Sequence, residues 1–294
     1  VHVVYSYLRL CPQPSSHVNL LVVLTPALQC VHVVYSYLRL CPQPSSHVNL
    51  LVVLTPALQC VHVVYSYLRL CPAADRPGVF VIPTGAAGHI ASVCIASQCG
   101  LPIASACAAT NSNDILHTFL RTGELQLGGV KQTVASAMDV QSPYNVERLL
   151  SMATGGDGAR VSGWMEEFKV KGRIEVPPAV TEALRALGVT SATVDDARAM
   201  AAMADVASAE GGSYLVDPHT AVGVAVALSG VPGSGGGAEL PPVCMACAHP
   251  AKFPETVAKA LGISLTEAVA RIPDGENRAV APVLAMSTDP GAAG

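Results

Sequence analysis

Across its first 72 residues the chain contains no glycine, no lysine, no aspartate and no glutamate, and its only full charges there are Arg9, Arg39 and Arg69. Residues 1–30 recur unchanged at 31–60, and 61–72 repeat the first twelve positions, so the period is thirty. Solenoid units drift at free surface positions and keep caps and solvated faces, so perfect copies without acidic residues exclude an ordinary repeat protein. The tract (1–72) is read as a recent duplication or a mistranslated stretch joined to something else. It is expected to be sticky and poorly structured, because β-rich segments such as Val31 to Tyr37 have no gatekeeper charge. No membrane span is expected either: the apolar patch from Leu20 to Leu28 is short and holds Pro26, while Asn19, Gln29 and His32 interrupt the wider window.

Charge is thin throughout. Asp, Glu, Lys and Arg make up 13% of the 294 residues, the formal net charge is −4 and the sequence pI is about 6.1. With no dense Lys/Arg patch to displace counterions, a nucleic-acid partner is not expected, and a small molecule is. Five of the ten cysteines fall in the repeat, leaving Cys94, Cys99, Cys107, Cys244 and Cys247, ordinary usage for a reduced compartment. No charged n-region precedes a short apolar core at Val1, so a signal peptide is not expected and the address is cytoplasmic or organellar, including a plastid. What is plentiful is apolar material, 51% of the chain, more than enough for a core.

From Ala73 the composition changes. Residues 73–294 carry fourteen basic and twenty-one acidic side chains, a formal −7, together with glycines and helix caps. Val79 to Ile82 predicts a buried strand, the turn at Pro83-Thr84-Gly85 ends it, and a helix runs from about Ile90 to Gln98. Pro102 to Ala109 predicts a second strand, which makes a βαβ unit with the glycine turn at the carboxyl end of its first strand, where ligands sit in open α/β sheets. Ile115, Leu116, Phe119 and Leu120 stripe a helix stopped by Gly123. Further helices are predicted over 143–152 and 164–171, with 155–163 as a surface loop between them. A long helix is predicted from Thr193 to Gly211-Gly212, a strand from Ser213 to Val216, a helix to Leu228, a flexible arm over 230–237 and a strand from Val243 to Ala248. Pro254 opens a helix ending near Leu261, and Ser264 with Glu267 forms a capping box for the next. The alternation is α/β.

The stretch with most chemical promise is Pro83-Thr-Gly-Ala-Ala-Gly-His89. Small residues let backbone amides approach an anion, and the following helix aims its unpaired N-terminal amides at the same spot. Such a turn also occurs for tight packing alone, and the spacing does not choose between the two. Asn111, Asn113 and Asp114 sit where a strand meets a helix, as an N-cap and turn or as substrate contacts. His219 after Asp217-Pro218 is a structural group or a base. Lys252 is a substrate-phosphate contact or simply caps its motif. Cys244-Met-Ala-Cys247 offers a redox or zinc pair, for which only His249 stands near as a third ligand, or a small buried hydrophobe.

Taken together, Pro83-Thr-Gly-Ala-Ala-Gly-His89, Ala109-Thr-Asn-Ser-Asn-Asp-Ile-Leu-His117, Ala135-Ser-Ala-Met-Asp-Val-Gln-Ser-Pro-Tyr-Asn-Val-Glu-Arg148, Asp217-Pro-His-Thr-Ala-Val-Gly223 and Ala248-His-Pro-Ala-Lys-Phe253 resemble the threonine synthase family. The loop and the Ser142-Pro-Tyr-Asn145 segment look closest to its threonine synthase-like phospho-lyase branch. The resemblance covers about Gly78 to Lys259, the C-terminal part of the family's fold. It implies a partial tryptophan-synthase-like (fold type II) α/β enzyme of three αβα layers, pyridoxal phosphate as cofactor, and a small phosphorylated amino acid such as O-phosphohomoserine as substrate.

Carried over by position, Gly85, Ala86, Ala87, Gly88 and the amide of His89 would hold the cofactor phosphate, and Cys247 would stand where the family places a hydroxyl against the pyridine nitrogen. The family's loop usually has Asn and Phe at the positions of Ala86 and Ala87, so side-chain contacts there are lost while the backbone role survives. A thiol at Cys247 is a weaker hydrogen-bond partner than a hydroxyl. The family's cofactor-binding lysine, in a Phe-Lys-Asp type motif upstream of the loop, has no counterpart, because no lysine precedes Lys131. The resemblance therefore assigns no catalytic residue, and no metal ligand, within these residues. A non-catalytic cofactor-binding remnant, or a fragment from a faulty gene model, stands beside the enzyme reading.

Overall fold

The computed structural model describes residues 47–71, 73–209, 214–233 and 241–272, with side chains from Gln59 onward. Its centre is a four-stranded parallel sheet in the order β5-β2-β1-β6. β1 (Gly78–Pro83) pairs with β2 (Ile103–Thr110), which pairs on its other side with β5 (Val189–Thr193), while β6 (Val243–Cys244) adds to the free edge of β1. Every residue of β1 is buried, as expected for a central parallel strand covered on both faces. Phe80 and Ile82 face one apolar cluster and Val79 and Val81 face another, the alternation a strand imposes.

Three layers result. On the Phe80 side lie α1 (His47–Leu70), α2 (Gly88–Gln98), α3 (Ile115–Thr122), α4 (Val146–Ala153), α5 (Gly158–Lys171) and α6 (Pro178–Ala186). A small antiparallel ribbon of β3 (Glu124–Gln126) and β4 (Arg173–Glu175) closes that side. On the Val79 side lie α7 (Asp196–Ala209) and α8 (Pro218–Ser229). A third cluster joins α7 and α8 to α9 (Pro254–Leu261) and α10 (Leu265–Ala270). The predicted three-layer αβα architecture is thus the observed one.

Strand β1 leads into α2 on one face, whereas β6, its neighbour on the edge, follows helices of the other face. The carboxyl ends of β1 and β6 therefore meet at a topological switch point, where open α/β sheets form their ligand crevice.

Several boundaries differ from the sequence reading. The predicted loop over 155–163 is shorter, because Asp157 caps Arg160 N at 3.1 Å and starts α5 at Gly158 despite the glycines. The predicted helix start at Thr193 is the end of β5 instead; Asp195 accepts from Arg198 N at 2.9 Å and α7 begins after it. Tyr214 to Val216 joins no sheet. The strand predicted over 243–248 pairs only at Val243 and Cys244, and Met245 N adds one bond to Val81 O at 3.0 Å. The helix end at Gly211-Gly212, Ser213 and most of the arm beyond Gly233 lie outside the described residues, as do positions 1–46 of the repeat.

Within the repeat tract, the described residues form α1 from His47 to Leu70, and Val63, Val64, Tyr67 and Cys71 enter the core cluster with α2. Each fully buried valine there contributes roughly 1.5–3 kcal/mol. The Tyr67 hydroxyl donates to Arg76 O at 2.6 Å, tying the helix to the entry of β1. A helix without acidic caps is stable here because it packs, which local propensity does not report.

Candidate functional site: the turn between β1 and α2

Strand β1 ends at Pro83, where Thr84 N donates to Ala109 O at 2.8 Å and fixes the exit of the loop. Ala87, the N-cap of α2, is held at φ 66, ψ 9, a left-handed conformation that costs a residue with a Cβ about 1–2 kcal/mol, and no side chain caps the helix. Among the described residues the amides of Gly85, Ala86, Ala87, Gly88, His89 and Ile90 find no acceptor. Ala86 O, in contrast, accepts from Asn145 N at 3.0 Å, which turns the carbonyl away and pins the loop to the start of α4. The outcome is a cluster of free donors at the positive end of a helix.

This turn forms the floor of a cavity of about 620 Å³. Gly85, Ala86, Ala87, Gly88, His89 and Cys247, the residues predicted for the site, all line it. The carboxyl end of β6 supplies Cys244 and Met245, and α1 supplies Gln59, His62, Tyr65 and Ser66 from one face. Four buried polar atoms in this lining have no hydrogen-bond partner: Gln59 Oε1, Thr84 Oγ1, His89 Nε2 and Asn145 Oδ1. Buried polar groups are normally satisfied, so a concentration of exceptions in one cavity marks a place prepared for a ligand. Burial, with His62 nearby, pushes the His89 imidazole down to about 4, so the ring is neutral at pH 7.

Cys247 is exposed toward the cavity; Sγ donates to Met245 O at 3.8 Å. The surrounding protein and then the Asp217 charge push its thiol up to about 12, so it offers an S–H rather than a thiolate. Among the described residues no group of three or more His, Cys, Asp or Glu side chains is arranged to hold a metal ion, and Cys244 Sγ contacts Thr220 O at 3.7 Å.

His219 does not line the cavity. Its Nδ1 lies 2.8 Å from Asp217 Oδ1 and its Nε2 accepts from Ala137 N at 3.0 Å, which fixes a neutral ring with the proton on Nδ1. Phe253 packs against the ring at 4.7 Å. Asp217, fully buried, also accepts from Thr220 Oγ1 and from the amides of His219, Thr220 and Ala248, while Thr220 Oγ1 accepts from Cys247 N at 3.0 Å. Burial opposes ionisation of Asp217, yet the hydrogen bonds from His219 and Thr220 hold its carboxyl below the usual range. The motif is a clamp that positions the Cys247 turn. Asn111 and Asn113 are likewise structural: their amides reach Asp139 Oδ1 at 2.7 and 3.0 Å, and Asn113 Oδ1 accepts from Lys131 N at 2.8 Å, closing the 131–139 loop.

The sequence reading omitted Thr84 and Asn145 from the site, although both stand inside the quoted motifs. It also omitted Gln59, for which a repeat with no helix caps gave no signal.

A parallel sheet wound on both faces, with a donor-rich turn at its switch point, is an open α/β architecture of three layers, and solved structures share it. A family model described as threonine synthase, C-terminal, matches residues 220–283. Threonine synthase-like 2 of Xenopus laevis is 36% identical over 184 residues, 63% of this chain and 38% of that protein. Threonine synthase of Pseudomonas aeruginosa is 34% identical over 188 residues, 64% of this chain and 39% of that protein. Among solved structures, pyridoxal-phosphate-bound threonine synthase from Brucella melitensis superposes with a TM-score of 0.64 at 38% identity, covering 70% of this chain and 42% of that one. Threonine synthase from yeast gives 0.69 at 28%, covering 77% and 47%. The chain spans about two fifths of the length of these relatives. Its matched part corresponds to a C-terminal portion of the threonine synthase family. Among the described residues no helix is long and apolar enough to cross a membrane.

Proposed function

We propose that the Gly85–His89 turn holds the phosphate of pyridoxal phosphate, and that the family reaction to which this part contributes is phosphate elimination from O-phosphohomoserine or a related phosphorylated amino acid. The observation that carries the reading is the run of free amides from Gly85 to Ile90 next to the unpartnered Thr84 hydroxyl in the lining of one cavity. A phosphate monoester needs several converging donors, and these residues fit one. Neutral His89 adds a ring nitrogen without adding charge. When bound, the pyridoxal ring supplies an electron sink for carbanion chemistry. Cys247 S–H would stand at the ring's far side, positioned by Thr220 and Asp217.

The lysines of the sequence are Lys131, Lys169, Lys171, Lys252 and Lys259, and none of them lines the cavity. A protein of these 294 residues therefore lacks a lysine to carry the cofactor covalently and to move the substrate's α-proton. The second reading, a cofactor- or phosphate-binding protein without turnover, is supported by the absence of a lysine from the lining, to which α1 contributes Gln59, His62, Tyr65 and Ser66. The test is to add pyridoxal phosphate to the purified chain and measure binding, then phosphate release from O-phosphohomoserine. Binding without release is expected. Turnover comparable to a complete family member would contradict the assignment of no catalytic lysine, and absence of binding would remove the phosphate reading. Genomic DNA upstream of codon 73 separates these from a mis-joined gene: an intact frame encoding Phe-Lys-Asp there would favour a complete enzyme.

A further inference from the structure

We propose that Gln59, on the helix formed by the repeat, is a ligand-binding residue of this cavity that accepts a hydrogen bond from the organic part of a phosphate monoester seated on the loop; this rests on the phosphate reading above. Gln59 Oε1 is buried with no partner, and so is Asn145 Oδ1, whose residue is 3% exposed. Both side chains come near one point. A Cβ built on Gly88 would lie 3.1 Å from Asn145 Nδ2 and 3.7 Å from Gln59 Oε1, so both carboxamides lie close to the first residue of the helix terminus that offers its amides.

The chemistry of the wall differs from that of the floor. The floor is made of N–H donors and suits an anion; Gln59 Oε1 and Asn145 Oδ1 are acceptors and suit a hydroxyl or N–H donor attached to that anion. An acceptor buried without a donor costs about 1–3 kcal/mol of stability. The fold gains nothing from Gln59 Oε1 in return, since Cys60, Val63, Val64 and Tyr67 do the packing of this helix. A ligand with both an anionic and a donor group satisfies floor and wall together, and inorganic phosphate chiefly the floor. The repeat helix is then part of the binding site rather than an appendage.

The experiment compares the full chain with Gln59→Leu, using two probes, pyridoxal phosphate and inorganic phosphate, and records thermal stability alongside. The expected result is about a tenfold weaker affinity of Gln59→Leu for pyridoxal phosphate, a change of less than about twofold for inorganic phosphate, and an unchanged or raised Tm. Gln59→Met, which keeps the side-chain length, repeats the comparison should the leucine variant fold poorly. Equal loss for both probes, or no loss for either, overturns the role of Gln59 and leaves the loop reading standing. A wild-type chain that binds neither probe overturns the loop reading and this inference with it.

Discussion

Gly223 shows how tightly single residues set the floor of the cavity. It lies inside α8, and a Cβ there would come within 2.6 Å of Cys244 Sγ and 2.9 Å of Pro83 Cγ, the last residues of β6 and β1. Gly223→Ala should lower stability by about 1–3 kcal/mol, read from urea unfolding, because the strand ends cannot retreat without breaking the sheet. His89 makes a pH prediction. Its folded pKa is depressed from 6.5 to about 4, so the unfolded chain binds more protons between these values, and stability falls as pH drops from about 6.5 toward 4. The urea midpoint of the wild type should decline through that window more than that of His89→Gln; equal slopes would show that the ring is not buried as described.

At the scale of elements, the repeat helix is held by packing and by the bond from Tyr67 to Arg76 O. Tyr67→Phe should cost about 1 kcal/mol in chemical denaturation, with the ring still packed. The clamp at the start of α8 depends on an ionised Asp217. Its pKa is lowered, so its stabilisation is full above the unfolded value of 3.8 and is lost as pH falls through the lower folded value. Asp217→Asn should remove that acid-side component and loosen the Cys247 turn, visible as faster amide exchange at Cys247 and Ala248.

What was legible at this scale follows from physics. The β1-turn-α2 unit was readable because four consecutive apolar residues and a glycine turn are strong local signals, and α3 because its stripe recurs at helical spacing. Strand β5 was not: Val-Thr-Ser-Ala-Thr is a half-exposed edge strand with one buried apolar residue. The three-residue strands β3 and β4 are too short to carry a pattern, and α6 has Pro178 at its start but no side-chain cap to mark it. The loop residues that line the cavity carry motif and local chemical signals, whereas Gln59 lines it through tertiary packing alone.

For the whole molecule, two apolar layers on one parallel sheet place a switch point at β1 and β6, and the cavity opens there. One face of that cavity comes from the repeat helix, and the five lysines of the chain lie elsewhere. Everything proposed for this cavity depends on the Gly85–His89 turn receiving the phosphate of pyridoxal phosphate. The most direct test of this is equilibrium binding of pyridoxal phosphate to the full chain and to Gly88→Val, whose side chain would crowd Asn145 above the free amides. The wild type should bind saturably at one site, and the variant at least tenfold more weakly with its secondary structure intact. No binding by the wild type, or equal affinity in both proteins, would contradict the phosphate reading.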